Sequence, residues 1–439
     1  MTMHDVRYHI ISGSDNTHIL YCDSNYAIFN LDEQTAKVLL EKEKYHKSDE
    51  ISSKIGLLPS IKEYRNNTSN LRSVDRITLC VSNDCNLRCK YCYALGGNYG
   101  ATRGLMSKDI AKKFIEFCRK NFDHINKIVF FGGEPMLNTD IISFVCKEIK
   151  DLFASKAKPC PIFGLITNGT IHNSSAFYII KKYMSYVTVS IDGPEAIHDK
   201  NRVYANGSGS YKKVEEFIKK ISIIPNLYVS YEATFTNDAI KAGYNLLSLK
   251  NFFNTTLGIN GVIVNDSHLD RCIEIQNISS ITTEQIISSN FECLPASFWK
   301  ILDLLVKREN NTYCNVGYRN FSVSSTGELY ICHTVNEKKH CNIGSIKGKN
   351  LFNNTNDYQD IICSLDKNSI NCKTCWCRNL CGGCTIDFFY KEVSNALSDI
   401  PNHDFCAFYR QYLEQILVLI ARIRKNVVLW EHLLNKIKK

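Results

Sequence analysis

Residues 85–92 read Cys85-Asn86-Leu87-Arg88-Cys89-Lys90-Tyr91-Cys92, and the reading of the rest of the chain turns on this stretch. The spacing C-x3-C-x2-C sets three thiols on one short loop that can wrap an iron–sulfur cluster. A cubane of four irons ordinarily takes four Cys ligands, so three leave one iron with an open coordination place. A small molecule carrying both an amine and a carboxylate can chelate there. Tyr91 places an aromatic ring just before the third thiol. The motif alone is only suggestive, and the sequence around it has to support it.

The chain has 439 residues, enough for roughly two to four domains and a full hydrophobic core. It has no basic n-region followed by an apolar h-region and no run of about 18 apolar residues, so a cytoplasmic protein with no membrane segment is expected. Twenty cysteines in a reducing compartment point to metal ligation or catalysis rather than to disulfides. They cluster accordingly. Cys85 to Cys92 form one group, and Cys372, Cys375, Cys377, Cys381 and Cys384 form another, with Cys314, Cys332, Cys341 and Cys406 around it. Cys22, Cys118, Cys146, Cys160 and Cys293 stand alone and read as small buried hydrophobes. The net charge is +9, but Lys and Arg are spread along the chain with no Arg-rich block or RNP-like motif. That excludes a nucleic-acid partner from the expectation and leaves an ordinary basic surface suited to an acidic peptide.

The first 70 or so residues read as a small unit: RYHII, HILYC and NYAIFN are short β-type runs, and LDEQTAKVLLEKEKY is a capped amphipathic helix. Three strands followed by helices suit a winged-helix-like module, with Glu63 to Asp75 as linker. From Arg76 the pattern becomes strand then helix, six times over: RITLCVS, KIVFFGG, PIFGLITNG, YVTVSIDG, LYVSYEATFT and INGVIVND. Parallel β/α units follow, and such units bind ligands at the C-terminal ends of their strands. The distinctive residues fall there: Cys85 after the first strand, Gly132-Gly133-Glu134-Pro135 at the second, Thr167-Asn168-Gly169 at the third, and Ser190-Ile191-Asp192-Gly193 at the fourth. Residues near Thr282 to Arg308 look helical. From Cys314 to Cys406 the chain is Cys-rich with a thin apolar core, so a metal would have to supply stability. The final stretch, from Gln411 on, reads as one amphipathic helix packed on the catalytic domain.

Paired glycines let backbone approach a ligand, and a carboxylate beside them can accept a hydrogen bond from an ammonium group. Taken with CNLRCKYC, the motifs GGEP, ITNGT and SIDGP in this order resemble the radical SAM superfamily. The segment His198 to Arg202 (HDKNR), with GSGSY after it, resembles the subset that modifies peptides and proteins. The resemblance implies a [4Fe-4S] cluster held by Cys85, Cys89 and Cys92, with S-adenosylmethionine (SAM) on its open iron. It places Gly132, Gly133 and Glu134 at the methionyl amine, with Asn168, Ser190 and Asp192 in the cofactor-binding set. Ser190 and its neighbours would face the ribose and methionyl groups, and the GINGVIV strand the adenine. Arg202 either meets the SAM carboxylate or caps a loop. The implied chemistry is reductive cleavage of SAM to methionine and a 5'-deoxyadenosyl radical that abstracts hydrogen from substrate, with a reductant protein such as flavodoxin or ferredoxin supplying the electron. No catalytic residue is assigned.

Cys314, Gly327, Cys332, the run CKTCWCRNLCGGC and Cys406 resemble the SPASM domain. That implies two auxiliary [4Fe-4S] clusters, one on Cys372, Cys375, Cys381 and Cys406, the other on Cys314, Cys332 and Cys384. Two features depart from the pattern: two residues, not three, separate Cys381 from Cys384, and the extra Cys341 and Cys377 compete as ligands. A fourth ligand for the second set stays open among Cys341, Cys377, substrate or none, and a zinc site is the alternative for the C-x2-C pairs. Trp376 reads as packing and His333 as a polar contact.

The expectation is therefore an α/β protein: a partial (β/α)6 TIM-type barrel with an N-terminal winged-helix-like peptide-recognition module and a C-terminal Cys-rich SPASM domain. The boundaries expected are 1–74 for leader recognition, 75–280 for the barrel, 281–310 for a bridging helix, 311–410 for SPASM and 411–439 for the C-terminal helix. The substrate expected is a ribosomal precursor peptide whose leader adds a strand to a sheet edge. SNYAIFNLDEQTAKVLL and YEATFT look most like maturases of Cys-rich peptides that form thioether crosslinks. Carbon–carbon crosslinking, epimerisation, sulfatase maturation and a non-enzymatic iron–sulfur scaffold are the alternatives.

Overall fold

A computed structural model describes residues 8–44, 72–259, 262–266, 278, 281–308, 316–317, 319–348, 370–382, 384, 386, 389–391, 396–397 and 401–437. The six expected strands form one parallel run in chain order: β4 (Ser73–Ser82), β5 (His124–Gly132), β6 (Ile162–Thr167), β7 (Tyr186–Ser190), β8 (Tyr228–Phe235) and β9 (Ile263–Asp266). Strands β1 to β3 precede them and are described below. Ser73, Val74 and Asp75, expected in the linker, open β4; residues 63–71 of that linker lie outside the described residues.

Each crossover carries a helix whose ends are written in the sequence. Lys108–Asn121 starts at Ser107, whose hydroxyl accepts the Ile110 N–H; Asp109 lies in its first turn, with Arg119 and Lys120 in its last. The crossover helices pack on one face of the sheet, against Ile77, Leu79, Val81, Ile128, Phe130, Leu165, Val187, Val189, Tyr231 and Ala233. Side chains alternate along a strand, so the other face receives Thr78, Cys80, Ser82, Thr188, Ser190, Ser230, Glu232 and Thr234. On β4, β7 and β8 that face is largely polar and internally bonded, while β5 and β6 bring Val129, Phe131 and Ile166 to it. The Thr188 and Ser230 hydroxyls lie 2.7 Å apart, and the Asn336 side-chain amide donates to the Cys80 sulfur at 2.9 Å.

Three strands from the Cys-rich region extend this sheet. β10 (Asn320–Val323) runs parallel to β4, and β11 (Glu328–Tyr330) and β12 (Asn342–Ser345) follow antiparallel, giving nine strands in the order β12-β11-β10-β4-β5-β6-β7-β8-β9. Gly327, at φ +88°, makes the turn between β10 and β11. Phe321, Val323, Leu329, Ile331 and Ile343 join the main core, which corrects the expectation of a thin core for residues 319–348. Their contribution was hidden because each strand is only three or four residues long.

At the N-terminus, β1 (Tyr8–Ser12), β2 (His18–Cys22) and β3 (Ala27–Leu31) form an antiparallel meander, followed by a helix, Glu33–Lys44. Asp32 caps that helix by accepting the Thr35 N–H at 2.8 Å. Ile11, Ile19, Tyr21 and Tyr26 share a second core with Phe298, Leu302, Tyr412, Leu413 and Ile416.

The terminal stretch is two helices, His403–Arg424 and Val427–Ile437, not the single helix expected. Asn426 breaks it, because its side chain accepts the Leu429 N–H at 3.1 Å and starts a new helix. Cys22, Cys118, Cys146 and Cys293 are buried as expected; Cys160 is exposed, just before Pro161 at the approach to β6. Among the described residues no helix is long and apolar enough to cross a membrane.

Candidate active site

The Cys85–Cys92 loop leaves the C-terminal end of β4 and lies against the end of β5. Both glycines of the GGEP turn exist for that contact. A Cβ on Gly132 would come within 2.1 Å of the Ser82 carbonyl oxygen, and one on Gly133 within 2.1 Å of the Asp84 oxygen. Gly97, which the motif reading passed over, is the third member: its Cβ would sit 2.6 Å from the Gly133 Cα and 2.8 Å from the Cys85 Cβ, at φ +96°. Backbone meets backbone at these points, and two hydrogen bonds seal the contact, Gly133 N–H to Ser82 O at 2.9 Å and Glu134 N–H to Asp84 O at 2.8 Å. The glycines thus let the Cys loop and the end of β5 meet backbone to backbone.

Donors are aimed at the loop's sulfurs. The Leu87 N–H lies 3.4 Å from Cys85 Sγ, the Gly96 N–H 3.4 Å from Cys92 Sγ, and the Asn168 amide 3.6 Å from Cys85 Sγ. Such bonds favour thiolates, whereas burial pushes the Cys85 thiol up to about 12 and the Cys89 thiol to about 11. Three half-buried thiolates held together on one loop need compensating positive charge, which bound iron supplies. Among the described residues no three His, Cys, Asp or Glu side chains converge as ligands of one metal ion. A cubane asks for something different, since each thiolate binds its own iron and the sulfurs stand apart. The donor set therefore fits a cluster better than a single ion.

Asn168, at the end of β6, also donates to the Asn86 side chain at 2.9 Å and accepts from the Thr170 N–H and hydroxyl. Glu134 is fully buried and joins β5 to β6: its carboxylate accepts the Met136 N–H at 3.0 Å, the Thr167 hydroxyl at 2.7 Å and the Asn168 N–H at 2.8 Å. Burial outweighs these donors and holds its carboxyl up, to about 7.

Tyr91 donates its hydroxyl to Asp192, a fully buried carboxylate just past β7. The same carboxylate accepts the Arg202 Nε–H at 3.0 Å and the Thr234 N–H at 3.0 Å, and the Arg202 guanidinium lies over the Tyr91 ring, 5.4 Å from its centroid. Of the two roles open for Arg202, the loop-holding one is thus visible in the fold. The rest of HDKNR supports it. His198 is buried and, held neutral by burial at about 4, accepts the Asp192 N–H at Nδ1 and bonds Ser210 at Nε2. Asp199 accepts the Ser210 and Tyr211 N–H groups at 2.7 and 2.8 Å. The Asn201 and Val203 carbonyls bond the Lys90 and Arg88 N–H groups, so this segment grips the Cys loop directly. Ser190 is half-buried on the polar face, in register with Glu232. Burial raises the Glu232 carboxyl, opposed by the charges of Arg202 and His333. Glu232, within the YEATFT run that the sequence singled out, thus stands beside Ser190 on the inner face. Thr78, Thr188, Ser230 and Thr234 share that face without having carried a signal in the sequence, because the strand register could not be read there.

Among the Cys-rich residues, Cys332 faces His333 Nδ1 at 3.6 Å and the Thr334 hydroxyl at 3.3 Å, while the His333 ring meets Phe131 edge-on at 4.7 Å. Cys372 and Cys375 lie close enough to Cys406 for their charges to help raise its thiol, after burial. Cys375 and Cys377 sulfurs are 3.5 Å apart. Cys341 is buried beside Cys332, which separates the two extra cysteines: Cys341 belongs to the Cys332 neighbourhood and Cys377 to that of Cys375. Cys384 is exposed, and Cys314 lies outside the described residues.

Residues 79–224, which span this constellation from the Cys loop through Arg202 and the Ser210–Tyr211 contacts but not β8 or the Cys-rich flank, match the model of the radical SAM superfamily. They form a radical SAM domain. Such a domain implies a [4Fe-4S] cluster with bound SAM, and the Cys85–Cys92 loop has the donors for it. A cysteine-type anaerobic sulfatase-maturating enzyme from Clostridium novyi (strain NT) is 24% identical over 402 residues, covering 82% of this chain and all of that protein. The solved structure of native anSMEcpe with bound AdoMet matches with a TM-score of 0.64 at 18% identity, covering 80% of this chain and 99% of the other. Streptococcus suis SuiB bound to its precursor peptide SuiA matches with a TM-score of 0.50 at 14% identity, covering 91% and 98%. The shared fold is the α/β radical SAM architecture with a mostly parallel central sheet.

Proposed function

We propose that this chain is a radical SAM maturase that installs thioether crosslinks, Cys sulfur to carbon, in a ribosomally made Cys-rich peptide. The observation that carries the peptide reading is the three-stranded meander and helix at residues 8–44, ahead of the barrel. A neighbour bound to its precursor peptide overlaps more of this chain than the sulfatase-maturating one does. In this reading residues 1–74 are a winged-helix-like leader-recognition module, 75–280 the barrel, 281–310 a bridge, 311–410 a SPASM domain with two auxiliary clusters, and 411–439 the C-terminal helical segment.

The SAM-bearing cluster supplies a 5'-deoxyadenosyl radical when loaded. The chain's own part is to bind and aim: Cys85, Cys89 and Cys92 hold iron, while Gly132, Gly133, Glu134, Asn168, Ser190, Asp192 and Arg202 shape the SAM side of the site. Cys314, Cys332 and Cys384 form a set one ligand short, which leaves room for a substrate thiolate. The inner face of the sheet, with Ser190, Ser230, Glu232 and Thr234 at its β7 and β8 strands, borders the space into which the peptide would reach. The electron comes from a flavodoxin or ferredoxin.

Sulfatase maturation is the second reading, favoured by a relative of that kind that aligns over its entire length. Mass spectrometry after anaerobic incubation with SAM, reductant and a Cys-rich peptide separates the two. Loss of two hydrogens per modified Cys, with that sulfur resisting alkylation, supports the thioether. The same loss with a free thiol points to carbon–carbon crosslinking. An unchanged peptide together with oxidation of a sulfatase-derived Cys peptide replaces the thioether reading with the sulfatase one.

A further inference from the structure

The loop Cys372–Cys381, which carries three of the expected auxiliary ligands, is held from the N-terminal sheet. Asn379 is the fixed point. Its N–H donates to both carboxylate oxygens of Asp23, at 3.0 and 3.2 Å, its side-chain amide donates to the Asp23 carbonyl at 2.9 Å, and its own carbonyl accepts the Tyr26 hydroxyl at 3.1 Å. Tyr21 donates a further bond to Asp23 at 3.2 Å. Asp23 is fully buried, and Asn379 nearly so. Three residues earlier in the loop, the His9 ring stacks on Trp376 with centroids 4.5 Å apart and planes 16° from parallel, and Tyr21 meets the same indole edge-on at 5.8 Å. Cys377 and Leu380 are packed into the core that Ile11, Ile19 and Tyr21 complete.

We propose that the N-terminal sheet is a clamp for the auxiliary cluster loop: Asp23 and the His9–Trp376 stack hold Cys375 and Cys381 in their ligating arrangement. The inference rests on the SPASM reading above and goes beyond it, because a recognition module needs only a tether. A buried carboxylate that accepts the Asn379 N–H from the loop and the Tyr21 hydroxyl from the sheet cannot leave without exposing unpaired groups on both sides. Sheet docking and loop conformation are therefore one cooperative unit, and a change at the sheet registers at the cluster.

The test uses the full chain, reconstituted anaerobically. It compares Asp23→Ala, Asp23→Asn, Cys372→Ala and, as an exposed control, Lys37→Ala. Readouts are iron and sulfide per chain, the EPR signal of the reduced protein and thermal unfolding. With three cubanes in the wild type, Asp23→Ala is expected to lose about a third of the iron and the corresponding EPR component. Asp23→Asn, which keeps an acceptor for the Asn379 N–H, retains both, as does Lys37→Ala. Full iron and an unchanged spectrum in Asp23→Ala would overturn the clamp. If Cys372→Ala also leaves iron and spectrum unchanged, no cluster resides on this loop; the SPASM reading then fails, and the clamp with it. Should Asp23→Ala not fold, Tyr26→Phe removes only the hydroxyl bonded to the Asn379 carbonyl, and His9→Ala removes the Trp376 stack together with the His9–Glu414 bond. A shifted EPR signal at unchanged unfolding temperature supports the proposal, and unchanged iron and signal in both refute it.

Discussion

Replacing Gly133 by Ala tests the view that the GGEP glycines serve the Cys loop. The added Cβ would stand 2.1 Å from the Asp84 oxygen, 2.5 Å from the Asp84 carbonyl carbon and 2.8 Å from the Gly97 Cα, where real Cβ atoms keep at least 3.0 Å. All three neighbours are backbone, so no rotamer change relieves the overlap, and the loop has to retreat by roughly 0.9 Å. That retreat breaks the Glu134 N–H to Asp84 O bond and tilts the residue before Cys85. Overpacking costs about 1–3 kcal/mol and the lost bond about 0.5–1.5 kcal/mol. A penalty of about 2–4 kcal/mol on the ligating conformation corresponds to about 30- to 1000-fold weaker cluster retention at limiting iron. Anaerobic reconstitution followed by iron analysis and SAM cleavage reads the effect. Gly104→Ala is the control, since nothing lies within 4 Å of its Cβ. A Gly133→Ala protein that retains iron and cleaves SAM as the wild type does would refute the reasoning.

Glu134 titrates in the opposite sense to a salt-bridged acid. Its folded value is raised from 4.5 to about 7, so folding is favoured below pH 4.5 and loses about 3 kcal/mol as pH rises through 7. Denaturation of the iron-free protein is expected to show wild type weakening relative to Glu134→Gln over that window, and parallel curves would contradict it. Asp192→Asn leaves the buried Arg202 guanidinium without its charge partner and is expected to cost about 3–5 kcal/mol in urea unfolding; a loss below 1 kcal/mol would show that Arg202 has other compensation. Tyr91→Phe removes only the hydroxyl that Asp192 accepts, so about 1–3 kcal/mol is expected. A double-mutant cycle between Tyr91→Phe and Asp192→Asn should show coupling, and strict additivity would mean that the two do not act together.

Much of the site was legible in the sequence because each of its signals is local. Three cysteines at C-x3-C-x2-C must share a loop whatever the fold, and six apolar strands alternating with amphipathic helices leave few topologies other than a parallel sheet with its motifs at one end. The meander at residues 8–44 was also local, set by strand runs, turn residues and the Asp32 cap. What only the tertiary structure decided depends on contacts between residues far apart in the chain. The roles of Gly132, Gly133 and Gly97 come from backbone approach across the β4 and β5 ends. Asp192 and Arg202, expected at the cofactor, meet Tyr91 in a buried network because the HDKNR segment folds back on the Cys loop. The addition of β10, β11 and β12 to the parallel sheet, and the seating of the N-terminal sheet on the Cys372–Cys381 loop, needed pairings hundreds of residues apart. Local propensity carries no information about those pairings. Burial and hydrogen-bond satisfaction across the whole chain select them.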